Sequence, residues 1–185
     1  MGTTENTRYP IGKEEEQPYF SFSYSDSLKK ELLLDIRMLP ASLEMAIQNL
    51  DAAILEMPYR PGSWTVNQLV HHVADSHINA YTRFKLGLTE LNPVIKPYDQ
   101  EAWALLNDSK DVPINVSLTL LHALHQRWVS LMNALTTEQW ERTIFHPEKK
   151  IEITLWEVLK SYAWHGKHHV AQIVSFKNSL STPQL

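Results

Sequence analysis

Residues 154–180 decide the fold, and they read TLWEVLKSYAWHGKHHVAQIVSFKNSL. Apolar residues recur in this stretch every three or four positions, which is the spacing of one face of an α-helix. At about 100° per residue, His169 lies about 40° and His165 about 80° from the centre of that face, on the same flank, while His168 points about 140° away. We therefore predict a helix that holds two histidines at the edge of a core and a third in solvent. The residues that mark the apolar face are Leu155, Leu159, Tyr162, Gly166, Val170 and Ile173.

Three further segments have helical periodicity, and they cover approximately residues 28–50, 63–91 and 115–135. Ser25 to Ser27 offer an N-cap for the first, and Pro40 is expected to break or kink it. A short helix is expected around 101–106. Five glycines are too few for a turn-rich β-sandwich or barrel. The fold class that we predict is all-α, a four-helix bundle with one long connection between its second and third helices.

The domain organisation follows from the same pattern. Residues 1–25 are polar apart from an aromatic run between Tyr19 and Tyr24, and we interpret them as an extended N-terminal arm that packs on the domain or on a partner subunit. We expect residues 26–185 to form the four-helix bundle. A chain of 185 residues is long enough for one domain with its own core.

Composition excludes several classes of function. The chain has no cysteine, so it has no thiol nucleophile, disulfide, cysteine-based zinc site or iron–sulfur cluster. A formal net charge of −4 gives no general attraction to nucleic acid or to an anionic membrane. No stretch has the length of a membrane span or the apolar core of a signal peptide. We expect a cytoplasmic protein with a small-molecule substrate and neither nucleic acid nor membrane as partner.

The nine histidines are the unusual feature, because six of them lie in two windows, 71–77 and 165–169. His165 and His169 are four residues apart on one helix face, so their rings can bind one transition metal ion. In the second helix, His72 lies about 120° from the apolar face, and His71 lies about 140° away on the other side. This difference favours His72 only by a small margin as the residue that could join His165 and His169 at a metal ion. We interpret His77 and His125 as core residues, and His71, His146 and His168 as surface residues.

Several segments resemble one known family in their order along the chain. Residues 58–77, PYRPGSWTVNQLVHHVADSH, resemble the central signature of the DinB/YfiT-like proteins, and YPIG at 9–12, HQRW at 125–128 and WHGKHH at 164–169 agree with it. The YfiT branch, described as metal-dependent hydrolases, is the most similar. The family is also similar to bacterial thiol S-transferases that use bacillithiol-type cosubstrates.

The resemblance implies a four-helix bundle with one divalent metal ion per subunit, zinc or nickel, held by one histidine of the second helix and two of the fourth. Carried over, the metal ligands are His72, His165 and His169. The resemblance also implies a homodimer. The function that we predict is a hydrolase with an open position on its metal. The alternatives are a thiol S-transferase with a low-molecular-weight thiol cosubstrate, a binding module without turnover, and a structural bundle without metal.

The sequence leaves the residues around the ligands open. Gly166 argues against a zinc protease of the HExxH type, because it stands where the general-base glutamate follows the first ligand. Gly166 instead allows a substrate or another helix to approach closely. Gln68, Asp75 and Glu157 are candidates to hydrogen-bond a ligand imidazole. Arg127 either binds an anionic substrate or forms a surface ion pair, and Trp64 and Trp128 either belong to the core or line the pocket. No catalytic residue is assigned.

Overall fold

The structure is a computed structural model that describes residues 7–181. The first six residues of the predicted arm and the last four of the chain lie outside the described residues. Within the described range, no helix is both long enough and apolar enough to cross a bilayer. The four long helices are α1 (Asp26–Ile47), α2 (Val66–Thr89), α3 (Ile114–Asn133) and α4 (Leu155–Ser181).

The predicted fold class is confirmed, since four long helices form the bundle. Short elements fill the connections. Single helical turns occur at Ala52–Leu55, Gln100–Trp103, Asp108–Asp111 and Thr137–Trp140. A hairpin that the sequence did not predict joins β1 (Thr143–His146) to β2 (Ile151–Thr154), with Thr143 opposite Thr154. Each strand has only four residues, too few for a clear alternating pattern.

Side chains cap the helices at the points where the sequence changes from polar to periodic. The Ser25 Oγ accepts the Leu28 N–H at the start of α1. At α2, Thr65 and Gln68 form a reciprocal capping box, in which each side chain accepts the backbone N–H of the other residue. These caps satisfy helix-end donors that otherwise have no partner inside the helix.

Pro40 lies inside α1 and does not break it, so that expectation was wrong in its stronger form. Proline has no N–H, and the carbonyl four residues earlier, that of Ile36, therefore loses its usual helical partner. The Ile36 carbonyl instead accepts a hydrogen bond from His125 Nδ1 on α3. A tertiary contact thus takes the place of the missing helical hydrogen bond.

The N-terminal segment lies along α4. The Trp164 indole N–H donates to the Gly12 carbonyl (3.3 Å), and the Lys160 ammonium donates to the Phe20 carbonyl (2.7 Å). Two short 3-10 helices, Glu14–Glu16 and Pro18–Ser21, interrupt the extended segment. Within the described residues the arm therefore packs on the bundle, and it covers one side of the helix that carries His165 to His169.

The bundle contains two apolar clusters, and a layer of histidines occurs between them on α2, α3 and α4. Residues of the first cluster occupy positions 32–36, 80–84, 128–132 and 155–163 of the long helices, and those of the second occupy 39–46, 66–74, 118–121 and 173–176. His77, His125 and His165 fall between these positions. Gly166 lets α1 approach at this level, because a Cβ there would lie 2.7 Å from Leu39 Cδ2.

The packing of the second apolar cluster predicts how much a cavity there would lower the free energy of unfolding. Leu43 is fully buried on α1, so Leu43→Ala should lower the free energy of unfolding by about 2–5 kcal/mol. Leu34 on the same helix is 54% exposed, and Leu34→Ala should change the free energy of unfolding by no more than about 0.5 kcal/mol. Urea denaturation of both variants checks this. Equal losses would contradict the packing described here.

Candidate metal centre

Three histidines from two helices converge at one point. His72 on α2 and His165 and His169 on α4 each offer a ring nitrogen, and these three atoms all lie within 4.8 Å of one another. The His165 and His169 Nε2 atoms are 3.2 Å apart. His72 and His169 are buried and His165 is partly buried. The arrangement is one in which three imidazoles could hold a single metal ion.

A hydrogen-bonded chain fixes the proton position on His165. The Ile36 carbonyl can only accept, so His125 carries its proton on Nδ1 and uses Nε2 as an acceptor. His77 Nδ1 then donates to His125 Nε2 (3.0 Å), which leaves His77 Nε2 to accept from His165 Nδ1 (3.2 Å). The Nε2 of neutral His165 is therefore unprotonated and carries a lone pair. We call His125, His77 and His165 the histidine chain.

Gln172 fixes the tautomer of His169 in a similar way. Its amide nitrogen donates to the Arg8 carbonyl (2.8 Å), so its carbonyl oxygen faces His169 Nδ1 (2.8 Å) and accepts the proton there. The Nε2 of His169 is then also a lone pair. Two lone pairs consequently face each other across 3.2 Å, an arrangement that repels unless a cation lies between them.

The histidines at this site are neutral at pH 7. Burial lowers the pKa of His72 to about 3 and that of His169 to about 4. Burial also places the pKa values of His77 and His165 well below the usual range, and the neighbouring histidines lower them further. Neutral imidazole is the form that binds a metal ion.

An open cavity of about 290 Å³ leads to the three histidines. Trp64 forms part of its wall, with its ring 4.5 Å from that of His72 and its indole N–H donating to the Glu101 carboxylate (2.8 Å). Arg8 and Arg60 also line it. Trp64 therefore lines the pocket, whereas Trp128 is fully buried in the core.

Two predicted surface histidines are buried, so those predictions were wrong. His168 is 6% exposed, because it stacks on Trp164 and lies beside Tyr9 of the arm. His71 is 5% exposed, because it bonds Ser117 Oγ of α3 (2.7 Å) and the Val112 carbonyl (2.9 Å). Segments outside the helix contribute to covering both rings, Tyr9 for His168 and the connection before α3 for His71, and the periodicity of one helix contains no information about those segments. The assignment of His77 and His125 to the core is confirmed.

The side chain that positions a metal ligand differs from those that the sequence suggested. Gln68 caps α2 and donates to the Ala104 carbonyl, and Glu157 caps Thr154 at the start of α4, so their side chains are used elsewhere. Asp75 is half-buried, and burial raises its pKa to about 6, but no hydrogen bond joins its side chain to the three histidines in the described part of the chain. Gln172, which the sequence argument did not select, holds His169. Its position three residues after a ligand on one helix face was the available signal.

Arg127 lies away from the site. It is exposed on α3, with its guanidinium over the Tyr81 ring, 5.6 Å from the ring centroid. Arg60 and Glu101, which line the cavity, were not selected from the sequence, because they belong to the loop before α2 and to the connection after it. Only tertiary structure brings those loops to the histidines.

These features define a class of protein, a helical bundle with a three-histidine candidate metal centre open to a cavity. The model of the DinB superfamily matches residues 36–173, and the chain belongs to that family. A Bacillus cereus (strain 03BB102) protein named "Putative metal-dependent hydrolase" is 48% identical over 178 residues, 94% of this chain and 97% of that protein. A Bacillus anthracis protein of the same name is 47% identical over the same shares.

A solved structure agrees with the fold. The chain is similar to YfiT from Bacillus subtilis, described as "a probable metal-dependent hydrolase with an unusual four-helix bundle topology". The TM-score is 0.90 and the sequence identity 43%, over 96% of this chain and 99% of YfiT. The predicted resemblance to the YfiT branch is thereby confirmed.

Buried neutral histidines predict how stability depends on pH. Burial lowers the pKa of His125 from 6.5 to about 4 in the folded state, so between these values the unfolded chain binds a proton that the folded chain does not. The free energy of unfolding of metal-free protein should therefore decrease as the pH falls from about 6.5 to about 4. Urea denaturation at several pH values measures this. A constant or rising stability over that range would contradict the assignment of neutral buried rings.

Proposed function

We propose that the protein is a metal-dependent hydrolase whose single divalent ion is held by His72, His165 and His169. The observation that carries the proposal is the pair of Nε2 lone pairs that face each other across 3.2 Å. Burial of the three rings opposes protonation as a way to relieve that repulsion. The names of the relatives support the same class of activity.

The donor set suits a catalytic ion. A divalent metal ion bound by three neutral histidines supplies a Lewis acid with an open position, which polarises a carbonyl and lowers the pKa of water. The protein holds the proton of each α4 ligand on Nδ1, through His77 for His165 and through Gln172 for His169. Trp64 packs on His72 in the wall of the cavity, and this cavity is the route by which substrate would reach the ion. Three imidazoles suit zinc or nickel, and these are the ions that we propose.

Thiol S-transfer is the second candidate. His165 and Gln100 line both the cavity described above and a second cavity of about 250 Å³, so two different molecules could reach the same centre. The chain has no cysteine, and a low-molecular-weight thiol cosubstrate would supply the sulfur. Zinc- or nickel-dependent cleavage of esters or amides supports hydrolysis, and conjugation of a thiol to an electrophile supports transfer. The homodimer and the cytoplasmic location stay predictions.

Metal content tests the proposal directly. Protein purified without a histidine tag should contain about one zinc or nickel ion per chain, and His169→Ala should lose it, because two imidazoles bind far more weakly than three. His122→Ala is the matched control, since His122 is exposed on α3 and bonds Glu44. Elemental analysis measures the stoichiometry. Full metal content in His169→Ala with its fold retained would rule out this ligand set.

The histidine chain should also contribute to metal affinity. His125→Leu removes the group that fixes the tautomer of His77 and so of His165, and we expect metal affinity to fall about 10–100-fold. His122→Leu lies on the same helix and should leave the affinity unchanged. Competition with a chromophoric chelator measures both constants, and circular dichroism reports whether each variant is folded. Equal affinities in folded variants would exclude this role.

A further inference from the structure

The second cavity shares a wall residue of the candidate metal centre, His165, with the first. Residues of α2, α4, the hairpin and the connection before α3 line it, and His165 and Gln100 are common to both cavities. One ligand ring of the proposed metal centre therefore lines both spaces. A group bound in the second cavity would lie next to the reacting centre.

The second cavity has an unusual cation in its wall. Arg83 on α2 is half-buried, and its Nη1 donates to the Tyr162 hydroxyl at 3.3 Å. No carboxylate lies within 4.0 Å of its guanidinium in the part of the chain that the structure describes. A guanidinium has five N–H donors arranged as a planar fork that matches a carboxylate. Most of that donor capacity has no protein carboxylate to bind.

The charges around the cavity give it a net positive character. Lys149 and Arg83 carry two positive charges, and Glu148 is the one carboxylate among the described residues that line it. Both cations act on His146 in the same wall, whose pKa is lowered by burial first and then by Lys149 and Arg83. With two cations and one anion, the lining has a formal charge of +1 when His146 is neutral. A single negative charge would balance it.

The remaining wall combines apolar and uncharged polar side chains. Ile95, Ile144 and Val158 are buried side chains that line the cavity. Ser76 on α2, Tyr162 on α4 and Tyr98 in the connection between α2 and α3 add hydroxyl groups to the lining. The Ser76 and Tyr162 hydroxyls are 3.5 Å apart. The cavity thus combines cations with aliphatic side chains and hydroxyl groups, a combination that suits a short-chain carboxylate.

We propose that the second cavity is a subsite for an aliphatic carboxylate of the substrate, with Arg83 as its principal ligand and Lys149 as a supporting charge. That this carboxylate belongs to a substrate rests on the proposed function, but binding of the carboxylate does not depend on the metal. A carboxylate is preferred to a phosphate dianion, because the lining has a formal charge of +1, which one negative charge balances and a dianion exceeds.

Butyrate and its neutral isostere butyramide test this proposal in metal-free protein. Titration followed by ¹H–¹⁵N NMR should show that butyrate binds and shifts the resonances of the Arg83 side chain. Butyramide, which lacks the negative charge, and inorganic phosphate, which lacks the aliphatic chain, should each bind at least about tenfold more weakly. Arg83→Gln should weaken butyrate about tenfold or more, whereas Arg127→Gln, exposed on α3, should not. Lys149→Gln at the hairpin should cause a smaller loss.

Several results would overturn the proposal. Equal affinities for butyrate and butyramide would show that charge does not contribute to binding. Equal butyrate affinities in Arg83→Gln and Arg127→Gln would show that Arg83 is not the ligand. Butyrate binding that appears only after metal is added would place the carboxylate on the metal instead. If Arg83→Gln does not fold, Arg83→Lys keeps the charge without the fork and should still weaken butyrate. Metal content, measured separately, keeps failure here distinct from failure of the proposed function.

Discussion

The hydrogen bond between His125 Nδ1 and the Ile36 carbonyl is the contact on which the candidate metal centre depends. It exists because Pro40 withdraws the N–H that would otherwise occupy that carbonyl within α1. From this fixed acceptor the proton positions on His125, His77 and His165 follow in order, and the chain ends with a lone pair at His165 Nε2. A proline in one helix thus determines which nitrogen a second helix presents to a metal ion.

Burying the histidine layer costs free energy of folding, and hydrogen bonds and packing around the layer offset that cost. Buried polar groups destabilise a protein unless they are hydrogen-bonded, and the members of the histidine chain have their partners within the layer. The two apolar clusters above and below exclude water and hold the four helices at fixed separations. Gly166 contributes by letting α1 approach α4 beside His165. Packing and hydrogen bonding together preorganise the ligands before any ion arrives.

The sequence was sufficient for features that depend on one helix at a time. Periodicity predicted the four helices and the shared flank of His165 and His169, and the resemblance supplied His72 as the third member of the cluster. Prediction from the sequence failed for side chains whose environment is set by another segment of the chain. His168 is covered by Tyr9 of the arm and His71 by the connection before α3. Gln68 and Glu157 were selected because they lie near the histidines in sequence, but they cap helices.

Imidazole ¹⁵N chemical shifts, measured by long-range ¹H–¹⁵N correlation on uniformly labelled protein, test the central claim most directly. We expect His125, His77 and His165 each to carry the proton on Nδ1 in metal-free protein at pH 7. We also expect the Nε2 resonance of His165 to change when zinc is added while its Nδ1 stays protonated. A proton on Nε2 of His165 would contradict the proposed proton positions, and zinc addition that leaves the His165 resonances unchanged would contradict its role as a metal ligand.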